Sequence, residues 1–220
     1  MSLDLIIFDC DGVLIDSEPI AARAHAEALA ACGCAIGEEA LLQRFCGVSD
    51  AEMLATIARE WGRALPSSYA AAVAARIARD YRSLLKPIPG VRAALAGLAW
   101  PLCVASSSAP AQIRLGLECA GLLDRFAANL FSAAMVARGK PAPDLFLYAA
   151  ARMGAAPGRC VVVEDSTAGV AAARAAGMTA LGFCGGSHCR AGHGARLLGS
   201  GAALVLDDMR DLPAAIGGLA

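Results

Sequence analysis

What the 220-residue chain lacks narrows its possible roles first. It has no surplus of either charge: 19 Lys and Arg stand against 20 Asp and Glu, a formal charge of −1. A protein that grips a nucleic-acid backbone needs a concentrated basic face, so no nucleic-acid partner is expected. Aromatic residues are scarce at 5% and charged residues make up only 18%, while hydrophobic residues reach 57% with a mean hydropathy of +0.55. That surplus is mostly alanine, a helix former and small packing residue before it is a lipid-facing one. The longest charge-free run, 93–113, has nominal membrane-spanning length, yet Trp100-Pro101 and Ser106-Ser107-Ser108 interrupt it. It therefore reads as helix, turn, strand and loop. Met1-Ser2-Leu3-Asp4 offers no basic n-region and no cleavage site after an apolar run, which predicts a cytoplasmic protein with reduced thiols and no membrane partner. The nine cysteines supply no zinc frame. Cys32-x-Cys34 has no matching second pair, and Cys10, Cys103 and Cys160 sit in or beside apolar runs, as small buried hydrophobes do.

What is present is a pattern of short apolar runs. Segments 3–8, 102–105, 160–163 and 178–183 are too short for helices and are bounded by turn residues, the signature of parallel strands covered on both faces. A further strand is expected at 203–206. Helical stretches at 111–119, 143–153 and 166–176 separate the later strands, so the fold class is α/β, a doubly wound, Rossmann-like parallel sheet. More than 90 residues part the first strand from the second, far beyond an ordinary crossover. Within that interval 17–32, 38–45, 50–62 and 67–85 all read as helices. An inserted helical domain is the economical reading: core 1–16 and 87–220, insertion 17–86, with Lys86-Pro87-Ile88-Pro89-Gly90 as a restricted hinge.

Ligands of open α/β sheets bind beyond the carboxyl ends of the strands, so the polar residues there carry most information. Asp9 and Asp11 follow the first strand two residues apart, on one side of an extended backbone. Ser106-Ser107-Ser108 follows the second, a hydroxyl with small residues whose N–H groups can wrap an anion. Glu164 and Asp165 follow 160–163, and Gly139-Lys140-Pro141 places one lysine between these motifs. Four carboxylates at neighbouring strand ends repel unless a cation holds them, and hard oxygen donors favour Mg²⁺. With Lys140 and the Ser106 region as phosphate donors, an aspartate is available for nucleophilic attack on phosphorus. The segment Cys184–His193 carries two Cys and two His in no common zinc spacing and is expected to be a glycine-rich loop.

Asp9-x-Asp11-Gly12-Val13, Ser106, Lys140-Pro141 and Glu164-Asp165 resemble the four ordered motifs of the haloacid dehalogenase superfamily of phosphohydrolases. The extended segments 8–18, 139–144 and 163–169 resemble its β-phosphoglucomutase-like branch, whose helical cap is inserted after the first motif. The resemblance implies that Asp9 is nucleophile and metal ligand. It implies that Asp11 is the general acid and base, with its carbonyl on Mg²⁺. Asp165 and Glu164 would complete the metal site, and Ser106, the Ser107 N–H and Lys140 would bind phosphate. Arg44 and Gly47, in a segment that resembles the branch's specificity loop, would contact substrate. True mutases of this branch carry an arginine where Asp50 stands and a histidine near Ala21, which turns the expectation from phosphosugar mutase, the alternative, to phosphatase. The substrate expected is a small phosphorylated sugar, sugar acid or polyol, handled by a monomer or weak homodimer. A receiver domain shares the aspartate, hydroxyl and lysine but would need neither the insertion nor Asp11.

Overall fold

The computed structural model describes residues 3–45, 50–126 and 128–219. Six parallel strands form one sheet: β1 (Leu5–Phe8), β2 (Leu102–Ser106), β3 (Leu130–Ser132), β4 (Cys160–Glu164), β5 (Thr179–Phe183) and β6 (Leu204–Leu206), in the order β3-β2-β1-β4-β5-β6. The chain first builds outward from β1 to β2 and β3, then returns to the other side of β1 for β4. The strand order therefore reverses beside β1, and such a switch point is where an open α/β sheet leaves a crevice.

Alternation along the central strands sends side chains to two separate cores. Ile6, Phe8, Val104, Val161 and Val163 face one layer, and Leu5, Ile7, Cys103, Ala105 and Val162 the other. Each side chain of this size that is fully buried contributes about 1.5–3 kcal/mol, which is why the strands read as unbroken apolar runs. Eleven helices are seen among the described residues. Before β2 come α1 (Glu18–Ala31), α2 (Glu38–Phe45), α3 (Asp50–Trp61), α4 (Tyr69–Leu84) and α5 (Val91–Ala96). After it follow α6 (Pro110–Cys119), α7 (Leu123–Phe126), α8 (Asp144–Met153), α9 (Thr167–Ala175), α10 (His193–Gly199) and α11 (Leu212–Gly217). Side chains of α5, α6 and α11 pack in the first core and those of α8, α9 and α10 in the second, the doubly wound arrangement.

Run 93–113 resolves into the end of α5, strand β2 and the start of α6, as its prolines and serines predict. Among the described residues no helix is long and apolar enough to cross a membrane. Cys10, Cys103 and Cys160 are buried free thiols, and Cys46 lies outside the described residues. Strand β3 was not expected. It is an edge strand of three residues, Leu-Phe-Ser, too short to show a period.

The four helices α1–α4 leave and rejoin the sheet at one place. Ile15 bridges Pro87, the Asp16 N–H donates to the Lys86 carbonyl (2.9 Å) and the Ile88 N–H to the Leu14 carbonyl (3.0 Å). Entry and exit strands are thus zipped together directly below the crevice.

Candidate active site

Asp9 leaves β1 next to β4, its N–H donating to the Val163 carbonyl at 3.0 Å. That pairing puts the first and last acidic motifs side by side. Ligand atoms of Asp9, Glu164 and Asp165 all lie within 4.8 Å of one another, and all three side chains are buried. Lys140 reaches in from the segment before α8: its ammonium donates to Asp9 Oδ1 at 2.6 Å and Glu164 Oε1 at 2.5 Å. Phe146 lies beneath it, with the ring centroid 5.0 Å away. Burial alone would discharge Lys140, but the carboxylates of Asp9 and Glu164 outweigh it and hold the ammonium above the ordinary lysine range. Burial raises Asp9, with Glu164, Asp165 and Asp11 adding to it and Lys140 opposing.

Glu164 uses both oxygens. Oε2 accepts from the N–H and hydroxyl of Ser166, each at 2.9 Å, while the Ser166 hydroxyl accepts from the Gly169 N–H and so caps α9. The carboxylate lies flat over Gly169, where a Cβ would fall 1.8 Å from Oε1. Glu164 therefore steadies Lys140 and the helix start while remaining within reach of the acidic cluster.

Asp11 stands in different surroundings from Asp9. Its Oδ1 accepts from the hydroxyls of Ser17 (2.7 Å) and Tyr81 (3.3 Å), and its Oδ2 from those of Ser106 (3.2 Å) and Ser108 (2.7 Å). Ser106 also accepts the Ser108 N–H at 3.0 Å, curling the segment after β2 into an anion-sized turn on which Ser107 is exposed. Asp11 is thus held by four hydroxyls, and its carboxylate is not among the three that cluster closely enough to share a cation.

These groups line one cavity of about 480 Å³ between the strand ends and helices α1–α4, with Asp9, Asp11, Ser106, Ser107, Lys140 and Asp165 on its floor. Glu164 sits directly behind Lys140. Arg44 is not brought to the cavity: its guanidinium pairs with Glu60 of α3 at 2.6 Å and lies over the Phe45 ring. An exposed carboxylate one helix away captured it. Gly47 lies outside the described residues.

Several participants escaped sequence reading. Ser17 and Ser108 sit inside quoted motifs, so their spacing offered a signal. Tyr81, 70 residues from Asp11, offered none. The loop after β5 runs irregularly, as its glycines predict, but two of its histidines hold Asp165. His188 Nε2 lies 3.0 Å from Asp165 Oδ2, and the His193 Nε2–H donates to the Asp165 carbonyl at 2.6 Å while Arg196 donates to Nδ1 at 3.0 Å. His188 fits because Gly12, in the left-handed region at φ 73°, has no side chain there. A Cβ on it would fall 2.7 Å from the imidazole and 1.9 Å from Asp165 Oδ2. Ligand atoms of His188, Cys189 and His193 also lie within 4.8 Å of one another, but both imidazoles are turned toward Asp165.

Three buried carboxylates against one ammonium form a site of hard oxygen donors with a negative excess. That donor set fits a small divalent cation such as Mg²⁺.

Comparison with known proteins agrees with this arrangement. The family model described as haloacid dehalogenase-like hydrolase matches residues 3–177. The chain is 33% identical over 187 residues to the 6-phosphogluconate phosphatase of Escherichia coli K12, covering 84% of this chain and 85% of that one. It is 35% identical over 185 residues to hexitol phosphatase B of the same organism, covering 80% and 81%. A conserved haloacid dehalogenase-like protein of unknown function from Agrobacterium tumefaciens C58 superposes with a TM-score of 0.87 at 40% identity, over 99% of each chain. A match that runs from the first strand through α9, over all four motifs that meet in the cavity, makes the chain a member of the haloacid dehalogenase-like hydrolases.

Proposed function

We propose that the protein is a phosphatase that cleaves a small phosphorylated sugar, sugar acid or polyol through a phosphoaspartate on Asp9. An Asp9 oxygen attacks phosphorus as the bond to the substrate oxygen breaks, and Asp11 gives a proton to the departing alcohol. Water then attacks the phosphoaspartate, Asp11 takes its proton, and inorganic phosphate leaves. Lys140, Ser106 and the Ser107 N–H hold the phosphoryl oxygens, and the hydroxyls around Asp11 keep its carboxyl aimed at the leaving group. Asp9 and Asp165, with Glu164 and the Asp11 carbonyl, would hold Mg²⁺, which when bound neutralises charge on the phosphoryl oxygens. Segment 17–86 acts as a lid that keeps macromolecules out and limits water. The setting is cytoplasmic, with the protein acting as a monomer or weak homodimer.

The observation that carries the reading is the convergence of Asp9, Asp11, Ser106, Lys140 and Asp165, from four separate stretches of chain, on one cavity floor. Sugar-phosphate phosphatase names among the relatives support it. Asp9→Asn is expected to abolish phosphate release from para-nitrophenyl phosphate with the circular dichroism spectrum unchanged, and EDTA is expected to silence the wild type until Mg²⁺ is restored. Turnover that survives the substitution removes Asp9 as nucleophile. Indifference to chelation removes the metal.

A further inference from the structure

The two ends of the cavity differ in charge. Lys140 is the one cation among its described lining residues, and it is committed to Asp9 and Glu164 on the floor. The helical wall supplies His25 from α1 and Asp50 from α3, over an apolar strip of Leu42, Phe45 and Met53. Segment 46–49, outside the described residues, consists of Cys, Gly, Val and Ser and carries no charged side chain. The Arg44 guanidinium of α2 is paired with Glu60.

The polar groups of this wall suit hydroxyls. His25 is buried, its Nδ1 2.9 Å from the Tyr69 hydroxyl and its Nε2 3.7 Å from Asp50 Oδ1. Burial lowers His25, against the pull of Asp50, which favours the uncharged imidazole. The Asp50 carboxylate is 77% exposed and has lone pairs left to accept from a substrate hydroxyl. A carboxylate or second phosphate brought to the same place would meet Asp50 with no counter-charge, an arrangement that discriminates by repulsion.

We propose that the cavity selects phosphate esters whose far end is neutral and hydroxylated, a sugar or polyol monophosphate, and discriminates against esters that end in a second anion, with Asp50 as the discriminating residue. This rests on the phosphatase reading and narrows its substrate class. A polyol phosphate presents its phosphate to Lys140, its C–H faces to Leu42, Phe45 and Met53, and its terminal hydroxyls to Asp50 and His25.

Glucitol 6-phosphate and 6-phosphogluconate form a matched pair, with the same six carbons and the same phosphate but a hydroxymethyl group replaced by a carboxylate. Steady-state phosphate release from both, with para-nitrophenyl phosphate as control, should show kcat/KM about ten-fold or more in favour of the neutral ester. Asp50→Asn should narrow that ratio several-fold, through a lower KM for the acid. The exposure of Asp50 makes loss of the fold in this variant unexpected, and a thermal melt verifies it. Equal or better use of 6-phosphogluconate, a ratio that Asp50→Asn leaves in place, or release from para-nitrophenyl phosphate but from neither ester each overturns the proposal. No release from any of the three fails the phosphatase reading itself.

Discussion

Two aspartates two residues apart occupy opposite kinds of surroundings. Asp9 lies among carboxylates and an ammonium, Asp11 among hydroxyls that can only donate to it or accept from its protonated form. The split follows from the backbone. Asp9 still pairs with β4, whereas Asp11 bridges Ile15 in the turn that follows, which aims it toward Ser17, Ser106 and Ser108. In the proposed mechanism one carboxyl attacks and the other transfers the proton. The chain has only two lysines, Lys86 and Lys140, and the second is fixed by Glu164 as much as by Asp9. Gly169 makes that possible, since any Cβ there collides with the Glu164 carboxyl. Gly169→Ala should displace Glu164, cost about 1–3 kcal/mol of stability in a urea titration and lower para-nitrophenyl phosphate turnover at least about ten-fold. Wild-type activity in this variant would mean that Glu164 does not position Lys140.

At the scale of elements, the segment between β5 and α10 has the most to add, and it lies beyond residue 177, where the family match ends. It holds Asp165 by side chain and by carbonyl, and Ser187 also donates to Asp16 through its N–H (3.1 Å) and hydroxyl (2.8 Å), at the root of the helical insertion. Partners that orient a carboxylate ligand are commonly worth 10–100-fold in metal affinity. His188→Ala should weaken Mn²⁺ binding about ten-fold or more, measured by electron paramagnetic resonance without substrate, and His188→Gln should recover part of the loss. Unchanged affinity with a lowered melting temperature would reduce the loop to packing. No helix at α10 was legible in the local pattern of residues, and nothing in that pattern brings His188 to Asp165. The helices of 17–86, β1, β2, β4 and β5 were legible because each is a run with its own period or apolar block. Strand β3 was not, being too short for a period.

In the whole molecule, the insertion must stay rigid enough to present Asp50 and His25 opposite the strand ends. Helices α1 and α4 carry that load. Tyr81 of α4 reaches Asp11, and Asp80 beside it is held by Arg79 (2.7 Å) within α4 and by Arg23 (3.3 Å) from α1. The hydrogen bond from Arg79 lowers the Asp80 pKa against the effect of burial, with Arg23 adding. A depressed folded-state pKa stabilises the protein at pH values above the ordinary carboxylate value of 3.8, and that contribution is lost as the pH falls through the folded value. Both arginines are partly exposed, so solvent screening keeps the gain small. Asp80→Asn should cost about 1 kcal/mol at pH 7 in chemical denaturation, and the gap to wild type should close below pH 3.8. A gap that persists in acid would assign the cost to packing.

The sequence by itself determined the parallel sheet, the run of helices between β1 and β2 and the acidic, hydroxyl and lysine motifs, because burial on both faces and strand-end turns leave their mark within a few residues. Tertiary structure decided which side chains meet: Tyr81 with Asp11, His188 with Asp165, Arg44 with Glu60 instead of the cavity, and Asp50 with His25 on its far wall. Those pairings depend on how helices and loops from distant parts of the chain are oriented over the sheet. Orientation is set by the sum of many packing contacts, and no short window of residues records that sum.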